Sequence, residues 1–372
     1  MKSSSLFSPY ALGSFVLRNR IVLPPMTRNR ADDRFVPTPR MAVYYKQRAE
    51  AGLMVSEGAA ISPSGVAYPR VPGLWTDEQV EGWKPVTEAV HASGGVFFAQ
   101  LWHVGRVSHS LTQPGGAQPV SASAVPVVDE LIMTRDGRIP FETPRELTTD
   151  EVRRVVDDYA VAARNAIAAG FDGIELHGAN GYLVDQFLND NVNRRTDRYG
   201  GGVSERLRFL IEVIEALCAE VGAERVGVRL SPSGTWMQCA DSDKLKLYGE
   251  VVRSLDKVGL SYLHLVEPTI AGSMTVEAAP DSIPSSHFRS IYSGTLIVSG
   301  DHTLESATQA LADGRTDLVG FGRPFISNPD LPLRLATGAP LAESDRATYY
   351  TDGDEGYIDY PTLEELDVPK AQ

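Results

Sequence analysis

Short apolar segments rich in branched side chains alternate along the chain with longer segments whose apolar residues recur at helical spacing. Continuous apolar runs of this kind are typical of strands buried on both faces of a parallel sheet. Eight such runs occur, at residues 21–26, 53–61, 96–103, 173–178, 226–230, 262–268, 296–300 and 318–325. Because helical segments separate them, the pattern predicts successive βα units. Eight units favour a closed (β/α)8 (TIM) barrel of the α/β class, with an open doubly wound sheet as the alternative.

The helical segments carry start and stop signals. Thr148 and Glu151 have the spacing of a capping box, and apolar residues then repeat at helical spacing up to Ile167. Gly170 follows, at a position where glycine favours the end of a helix. Further helices are predicted at residues 204–221, 241–257 and 303–313.

Three segments fall outside the repeat. Residues 6–20 predict a small hairpin that plugs the N-terminal end of the barrel. Residues 104–147 are rich in Pro, Gly and Ser and predict an insertion after strand 3 that caps the active site, with a hairpin turn at Asp136-Gly137. Residues 338–372 form a polar C-terminal tail with several tyrosines. In the absence of a linker, the whole chain, residues 1–372, is interpreted as one domain.

Composition restricts the class of protein. The 372 residues are 42% hydrophobic and 22% charged, with a formal net charge of −13. An acidic chain argues against nucleic-acid and anionic-membrane partners. We find no apolar run of about 18 residues, so no membrane span is expected, and the N-terminus predicts no signal peptide. The two cysteines, Cys218 and Cys239, lack the spacing of a metal site, and the chain is expected in the reducing cytoplasm.

The C-terminal ends of barrel strands are where catalytic groups of this fold lie. Here those ends carry hydrogen-bond donors and cations rather than a cluster of metal ligands. Glu57, Glu175 and Glu267 are spread over three strands, so no metal site is predicted.

The ends of strands 7 and 8 predict a phosphate site. Gly300 and Gly322 allow close approach of backbone N–H groups, and Arg323 can bind phosphate through two hydrogen bonds. The helix that follows Asp301 adds a favourable dipole.

The loop after strand 4 carries His177, Asn180 and Tyr182. Two donors can hold a carbonyl or nitro oxygen and stabilise negative charge that grows on it. A phenol with an ordinary pKa near 10 can protonate a carbanion-like centre. Spacing alone equally allows a structural histidine followed by an Asn-Gly turn.

Longer stretches carry a resemblance to a known family. They are RNRIVLPPMTRNRA, FFAQLWHVGRVSH, GFDGIELHGANGYLVDQFLNDNVNRRTDRYGG, GVRLSP, YLHLVEP and FGRPFISNPDL. Over essentially its whole length the chain resembles the Old Yellow Enzyme family of flavin-dependent ene-reductases, whose fold is an FMN-binding (β/α)8 barrel. The resemblance implies noncovalent FMN, NADPH or NADH as the reductant, and small enone, enal or nitroalkene substrates with an activated C=C bond.

The resemblance also implies which residues bind the cofactor. Thr27 would hydrogen-bond near the flavin C4 oxygen, and Gln100 and Arg229 would bind the pyrimidine edge. For Asp301, only the backbone N–H is expected to face the phosphate, while its side chain turns away or caps the next helix. The implied cofactor-binding residues are Pro25, Met26, Thr27, Gly58, Gln100, Arg229, Gly300, Asp301, Gly322 and Arg323.

For the substrate, the resemblance implies that His177 and Asn180 hold the electron-withdrawing group and that Tyr182 donates the proton. Trp102 and Tyr350 would line the pocket. The alternatives are a flavin-storage or flavin-sensing protein without turnover, which Tyr182 beside the donor pair disfavours, and a phosphate-binding barrel lyase or isomerase. The latter would need a catalytic lysine or carboxylate at a strand end, and no lysine lies there. A dienoyl-CoA reductase relative would need more cysteines for its iron–sulfur cluster.

Overall fold

Eight parallel strands close into a barrel in this computed structural model, which describes residues 5–134, 137–272 and 274–367. The barrel strands β1 to β8 are Ile21–Leu23, Leu53–Ala60, Phe97–Trp102, Gly173–Gly178, Val226–Leu230, Tyr262–Val266, Leu296–Ser299 and Leu318–Gly320. Each strand pairs with the next one along the chain, and β8 pairs with β1. The predicted (β/α)8 fold is confirmed, and the open sheet was the wrong alternative.

The bounds of the strands follow the predicted runs, with differences that proline and helix formation explain. β4 and β5 begin and end where the sequence predicts. β1 stops at Leu23 because Pro24 and Pro25 have no N–H to donate to a neighbouring strand. β8 stops at Gly320 because the chain enters a helix at Gly322.

Helices surround the barrel. In the described part of the chain, α1 to α11 are Pro39–Gln47, Asp77–Ala92, Thr149–Ala168, Leu183–Leu188, Val203–Val221, Lys244–Leu255, Ser285–Arg289, Leu304–Ala312, Gly322–Ser327, Leu331–Thr337 and Leu363–Asp367. The capping box is confirmed at α3, where the Thr148 hydroxyl accepts a hydrogen bond from the Glu151 N–H and the Glu151 carboxylate accepts one from the Thr148 N–H. Gly170, just beyond α3, has a left-handed φ of 94°. None of the described helices combines the length and apolarity needed to cross a membrane.

The N-terminal hairpin plugs the barrel as predicted. Its strands, Tyr10–Leu12 and Phe15–Leu17, pair antiparallel. Leu12 and Leu17 are fully buried in one cluster with Val22, Phe98 and Tyr262, which belong to β1, β3 and β6. This apolar contact closes the end of the barrel opposite the predicted active site.

The insertion after β3 forms short strands. Val120–Ser121 pairs in parallel with Arg145–Glu146, and Leu131–Thr134 pairs antiparallel with Gly137–Pro140. The predicted hairpin therefore forms, although Asp136 of its predicted turn lies outside the described residues. A second small hairpin pairs Ile270–Ala271 with Met274–Thr275 in the loop after β6.

Candidate active site

A cleft of about 740 Å³ opens at the C-terminal ends of the barrel strands. It brings together all but one of the residues that the sequence predicted for the site. Those that line it are Pro25, Met26, Thr27, Gln100, Trp102, His177, Asn180, Tyr182, Arg229, Gly300, Asp301, Gly322, Arg323 and Tyr350. Leu131, Met133 and Arg138 of the insertion line it too, so the insertion borders this cleft.

Gly58 does not line the cleft, contrary to expectation. It lies in β2 against Trp102, and a Cβ on Gly58 would come within 2.5 Å of the indole Cε3. The register of β2 against β3 also shifts between Val55 and Gly58. The physical need for glycine here is therefore space for the Trp102 ring.

His177 is a neutral hydrogen-bond donor in this cleft. Burial, together with the positive charge of Arg229, holds its pKa well below the ordinary value. The Ala179 N–H donates to His177 Nδ1 over 3.3 Å, so the neutral ring carries its proton on Nε2. His177 is only 5% exposed but lines the cleft, so a ligand bound there can accept that proton's hydrogen bond.

The backbone around Asn180 is held by polar contacts from behind. Asn180 has a left-handed φ of 57° and donates its N–H to Ser231 Oγ over 2.8 Å. The Gly181 N–H donates to the buried carboxylate of Asp185 over 2.8 Å. With these backbone donors satisfied, the loop has a defined conformation and the Asn180 amide lines the cleft.

Tyr182 stands at the start of α4 between two rings. Its ring centroid lies 4.9 Å from that of Trp102 and 5.0 Å from that of His177, both edge-to-face. Burial and the adjacent phenol of Tyr68 raise the pKa of Tyr182 well above 10.0. The ordinary phenol pKa expected from the sequence is therefore wrong for Tyr182. The raised pKa keeps Tyr182 protonated at neutral pH, so it can give its proton only to a strongly basic centre.

Tyr68 also lines the candidate active site, although no sequence pattern predicted it. It lies in the loop after β2, its ring stacks on Trp102 at 5.9 Å, and it lines the cleft beside Tyr182. Burial raises the pKa of Tyr68 to about 12. The signal that could have found it is its place in a loop that follows a barrel strand, since such loops build the active sites of this fold.

The predicted phosphate end of the cleft contains an ion pair. The guanidinium of Arg323 donates to the Asp301 carboxylate and, over 2.6 Å, to Thr275 Oγ1. Asp301 also accepts from the Thr275 hydroxyl. The expectation that the Asp301 side chain turns away or caps a helix was therefore wrong, because Thr303 caps α8 and Asp301 contacts the cation. A phosphate entering here would compete with Asp301 for Arg323.

The polar groups of the cleft fit a flavin. Arg229 is 9% exposed, and its Nε has no hydrogen-bond partner among the described residues. A buried guanidinium without a partner is costly, so an acceptor on a bound molecule is expected. At the other end, a Cβ on Gly322 would meet nothing closer than Met26 Sδ at 3.6 Å, which leaves room beside its backbone N–H. A ring with polar edges at Arg229 and a phosphate at Gly322 would satisfy both ends.

Buried arginines anchor the C-terminal tail against the cleft. Arg28 Nε and Arg30 Nη1 both donate to the Tyr349 carbonyl over 3.1 Å. Arg30 also donates to the carbonyls of Thr348 and Glu355. The neighbouring residue, Tyr350, is 49% exposed and lines the cleft. The predicted pocket position of Tyr350 thus depends on two cations that follow β1.

The fold and the cleft define a (β/α)8-barrel enzyme, and comparisons with known proteins identify its family. Residues 5–342 match the model of the "NADH:flavin oxidoreductase / NADH oxidase family". 12-Oxophytodienoate reductase 1 of Oryza sativa subsp. japonica is 47% identical over 368 residues, covering 97% of this chain and 94% of the relative. 12-Oxophytodienoate reductase 2 of Arabidopsis thaliana is 43% identical over 365 residues, covering 98% and 97%. The chain belongs to this family.

Solved structures agree with this assignment. The Old Yellow Enzyme homologue from Zymomonas mobilis superposes with a TM-score of 0.93 at 44% identity, covering 96% of this chain and 100% of that one. Morphinone reductase in complex with tetrahydroNAD superposes with a TM-score of 0.92 at 43% identity, covering 99% and 100%. The resemblance to Old Yellow Enzymes is confirmed. The chain is a flavin-dependent oxidoreductase that uses a nicotinamide cofactor, which argues against the lyase and storage alternatives.

The anchor of the C-terminal tail generates a prediction. Arg30→Leu should free the segment that carries Tyr350, because several charge-assisted hydrogen bonds to its carbonyls are lost together. We expect limited proteolysis to cleave within residues 338–372 at least about tenfold faster than in the wild type.

The matched control is Arg40→Leu, which removes exposed ion pairs to Asp352 and Asp354 of the same tail. Exposed pairs contribute little, so this variant should be cleaved at nearly the wild-type rate. Equal cleavage of both variants and the wild type would contradict the anchor.

Proposed function

We propose that this protein is an FMN-dependent ene-reductase that uses NADPH or NADH to reduce the activated C=C bonds of enones, enals and nitroalkenes. The observation that carries the proposal is the juxtaposition of a neutral donor, His177, with Asn180 and the buried phenol of Tyr182 in one cleft. The 12-oxophytodienoate reductases and the morphinone reductase found as relatives support a reductase. Two free cysteines, Cys218 and Cys239, are compatible with a proposed cytoplasmic location.

FMN would be held in the cleft by groups that follow or end several of the barrel strands. Thr27, Gln100 and Arg229 would contact its ring, and Gly300, Gly322 and Arg323 would bind its single phosphate. When bound, FMN would supply the two-electron chemistry that connects the nicotinamide to the double bond. FMN is favoured over FAD because the cleft offers one phosphate-binding end and the chain has no GxGxxG motif after an early strand.

The protein's own groups would activate the substrate. The His177 Nε2–H and the Asn180 amide would donate hydrogen bonds to a carbonyl or nitro oxygen and stabilise the negative charge that grows there as the β-carbon is reduced. One such donor is typically worth about 3–4 kcal/mol. Because His177 is neutral and carries its proton on Nε2, it would stabilise this oxygen through a hydrogen bond rather than through a full positive charge.

Tyr182 would then protonate the α-carbon. Its raised pKa makes it a poor acid toward water but leaves it competent toward a carbanion-like carbon, whose own basicity is greater. Trp102 and His177 hold the phenol ring edge-to-face on two sides, which fixes the direction of its hydroxyl. The substrate pocket would be completed by Trp102 and Tyr350.

The direct test identifies the cofactor and the product. The purified protein is heated, the released compound is identified by mass, and the native protein is incubated with NADPH and 2-cyclohexenone. We expect FMN and cyclohexanone. Release of FAD would overturn the cofactor assignment, and consumption of NADPH without a saturated product would overturn the reaction.

Arg323 should govern retention of the cofactor. Arg323→Ala removes a charge-assisted contact to phosphate, so the Kd for FMN should rise roughly 10- to 100-fold. Arg315→Ala, which removes an arginine paired with Asp313 at the surface, is the control and should bind FMN normally. Fluorescence titration of apoprotein measures both values, and an unchanged Kd for Arg323→Ala would remove this residue from the phosphate site.

Variants of Tyr182 should lose proton transfer, whereas variants of His177 and Asn180 should lose ligand binding as well as activity. His177→Ala and Asn180→Ala should weaken binding of phenols, whose phenolate mimics an enolate, and should also slow enone reduction. Tyr182→Phe keeps the ring and removes only the acidic proton. It should leave phenol binding and flavin reduction by NADPH nearly intact while slowing enone turnover roughly 10²–10⁴-fold.

A nitroalkene separates hydride transfer from proton transfer in the same variant. The nitronate product is stable without protonation, so Tyr182→Phe should affect flavin reoxidation by a nitroalkene much less than reoxidation by an enone. Stopped-flow absorbance with both acceptors measures the difference. Equal slowing of both acceptors, or loss of phenol binding, would assign Tyr182 to packing or binding instead.

A further inference from the structure

A buried carboxylate lies inside the barrel beneath the proposed flavin site. Glu175 and His177 are two residues apart in β4, so both side chains point to the same side of the strand, the barrel interior. Glu175 is completely buried and is not among the residues that line the cleft. The proposed mechanism gives it no role, although a buried charge is costly and needs compensating partners.

Glu175 connects two residues that do line the cleft. Its Oε1 accepts a hydrogen bond from Gln100 Nε2 over 2.8 Å, and its Oε2 lies 2.8 Å from His264 Nδ1. His264 Nε2 in turn lies 2.7 Å from Ser299 Oγ. The chain of contacts therefore runs from Gln100 on β3 through β4 and β6 to Ser299, the residue before Gly300 at the predicted phosphate end.

The ionised carboxylate of Glu175 and the neutral ring of His264 together fix the direction of each hydrogen bond in this row of contacts. An ionised carboxylate only accepts, so Gln100 must turn its NH₂ to Glu175 and its carbonyl oxygen away from it. His264 must carry its proton on Nδ1, and its Nε2 then accepts from the Ser299 hydroxyl. Burial lowers the pKa of His264 and keeps its ring neutral. Against the effect of its own burial, the pKa of Glu175 is lowered by the hydrogen bond from His264 and by the charge of Arg229. This matches an ionised carboxylate beside a neutral imidazole.

Two further observations indicate that the arrangement is built into the fold. A Cβ on Gly320 would come within 2.1 Å of Ser299 Oγ. Glycine at this position of β8 therefore leaves room for the Ser299 hydroxyl, the last group of the hydrogen-bond network. Glu175 is also the foremost negative charge acting on Arg229, whose Nε has no partner among the described residues. The carboxylate thus balances that cation without taking its Nε–H.

We propose that Glu175 is a positioning residue that orients the Gln100 amide and offsets the charge of Arg229, and that it thereby lowers the midpoint potential of the bound flavin. The inference rests on the proposed function. Reduced flavin carries negative charge near N1, so Arg229 favours the reduced form and the Glu175 carboxylate opposes it. His264 and Ser299 hold the carboxylate in place.

Two variants separate charge from orientation. Glu175→Gln keeps the shape and removes the charge, so reduced FMN should gain about tenfold or more in affinity relative to oxidised FMN. For a two-electron couple, tenfold corresponds to a positive shift of about 30 mV. Glu175→Asp keeps the charge but shortens the reach to Gln100, so it should weaken binding of both forms while the potential stays near the wild-type value.

The readouts are the midpoint potential from an anaerobic dye titration and the Kd for FMN from fluorescence, with the thermal midpoint of the apoprotein as a check of folding. Glu57→Gln is the matched control: it removes a second buried carboxylate, on β2, which accepts from the Arg28 N–H instead of from Gln100. Since burial raises the pKa of Glu57 to about 7, all potentials are compared at pH 8.5, where Glu57 is ionised. The control should shift the potential far less.

A potential for Glu175→Gln that is unchanged, or that shifts no more than that of Glu57→Gln, would overturn the inference. Should both Glu175 variants fail to fold, Ser299→Ala tests the contact between Ser299 and His264, which holds the carboxylate in place. This variant should weaken FMN binding with little change in the midpoint potential. FMN binding equal to that of the wild type would overturn the proposal. Wild-type protein that holds no flavin would instead overturn the proposed function, so the two failures are distinguishable.

Discussion

Closure of the barrel between β8 and β1 is the constraint on which the site depends. Because all eight strands are parallel, closure places their carboxyl ends around one opening, where Thr27 near the start of the chain and Arg323 near its end line the same cleft. The other opening is filled by the apolar face of the N-terminal hairpin through Leu12 and Leu17. Apolar packing that stabilises the barrel is thus supplied at the opposite end, and the active end can carry polar groups.

Most polar groups at the active end are stable in a buried setting because each has its own compensating contacts or is neutral. Arg28 and Arg30 donate to backbone carbonyls of the C-terminal tail. His177 avoids the cost of burial by remaining neutral, and Glu175 is paired within the barrel. Arg229 alone in this group keeps an unpartnered Nε among the described residues. That difference makes Arg229 the natural contact for the polar edge of a flavin, since a bound acceptor would satisfy it.

Sequence patterns predicted the fold because it follows from local rules, whereas most residues of the candidate site were expected from the resemblance to Old Yellow Enzymes. Apolar runs define buried strands, and active-site residues of a barrel lie at the carboxyl ends of those strands, which predicts that His177 and Arg229 face the barrel mouth, where both line the cleft. What the patterns could not predict depends on tertiary contacts. The pairing of Asp301 with Arg323 and the packing of Gly58 under Trp102 are set by side chains from different strands.

The raised pKa of Tyr182 also needed the structure, because it arises from burial and from Tyr68 in a loop far away along the chain. For Glu175 a usable signal existed. Its spacing of two residues from His177 on one strand already indicated an inward-facing carboxylate. Its partner His264, however, lies on a different strand, and only the closed barrel brings the two together.

We propose that one cleft serves both the nicotinamide and the unsaturated substrate, because both must reach the same bound flavin. An anaerobic spectroscopic titration tests it most directly, with NADPH added to the purified protein and then 2-cyclohexenone, in the presence and absence of a phenol. We expect a flavin absorbance band that NADPH bleaches and cyclohexenone restores, with the phenol slowing both steps. Absence of the band, bleaching without recovery, or a phenol that slows only one step would contradict it.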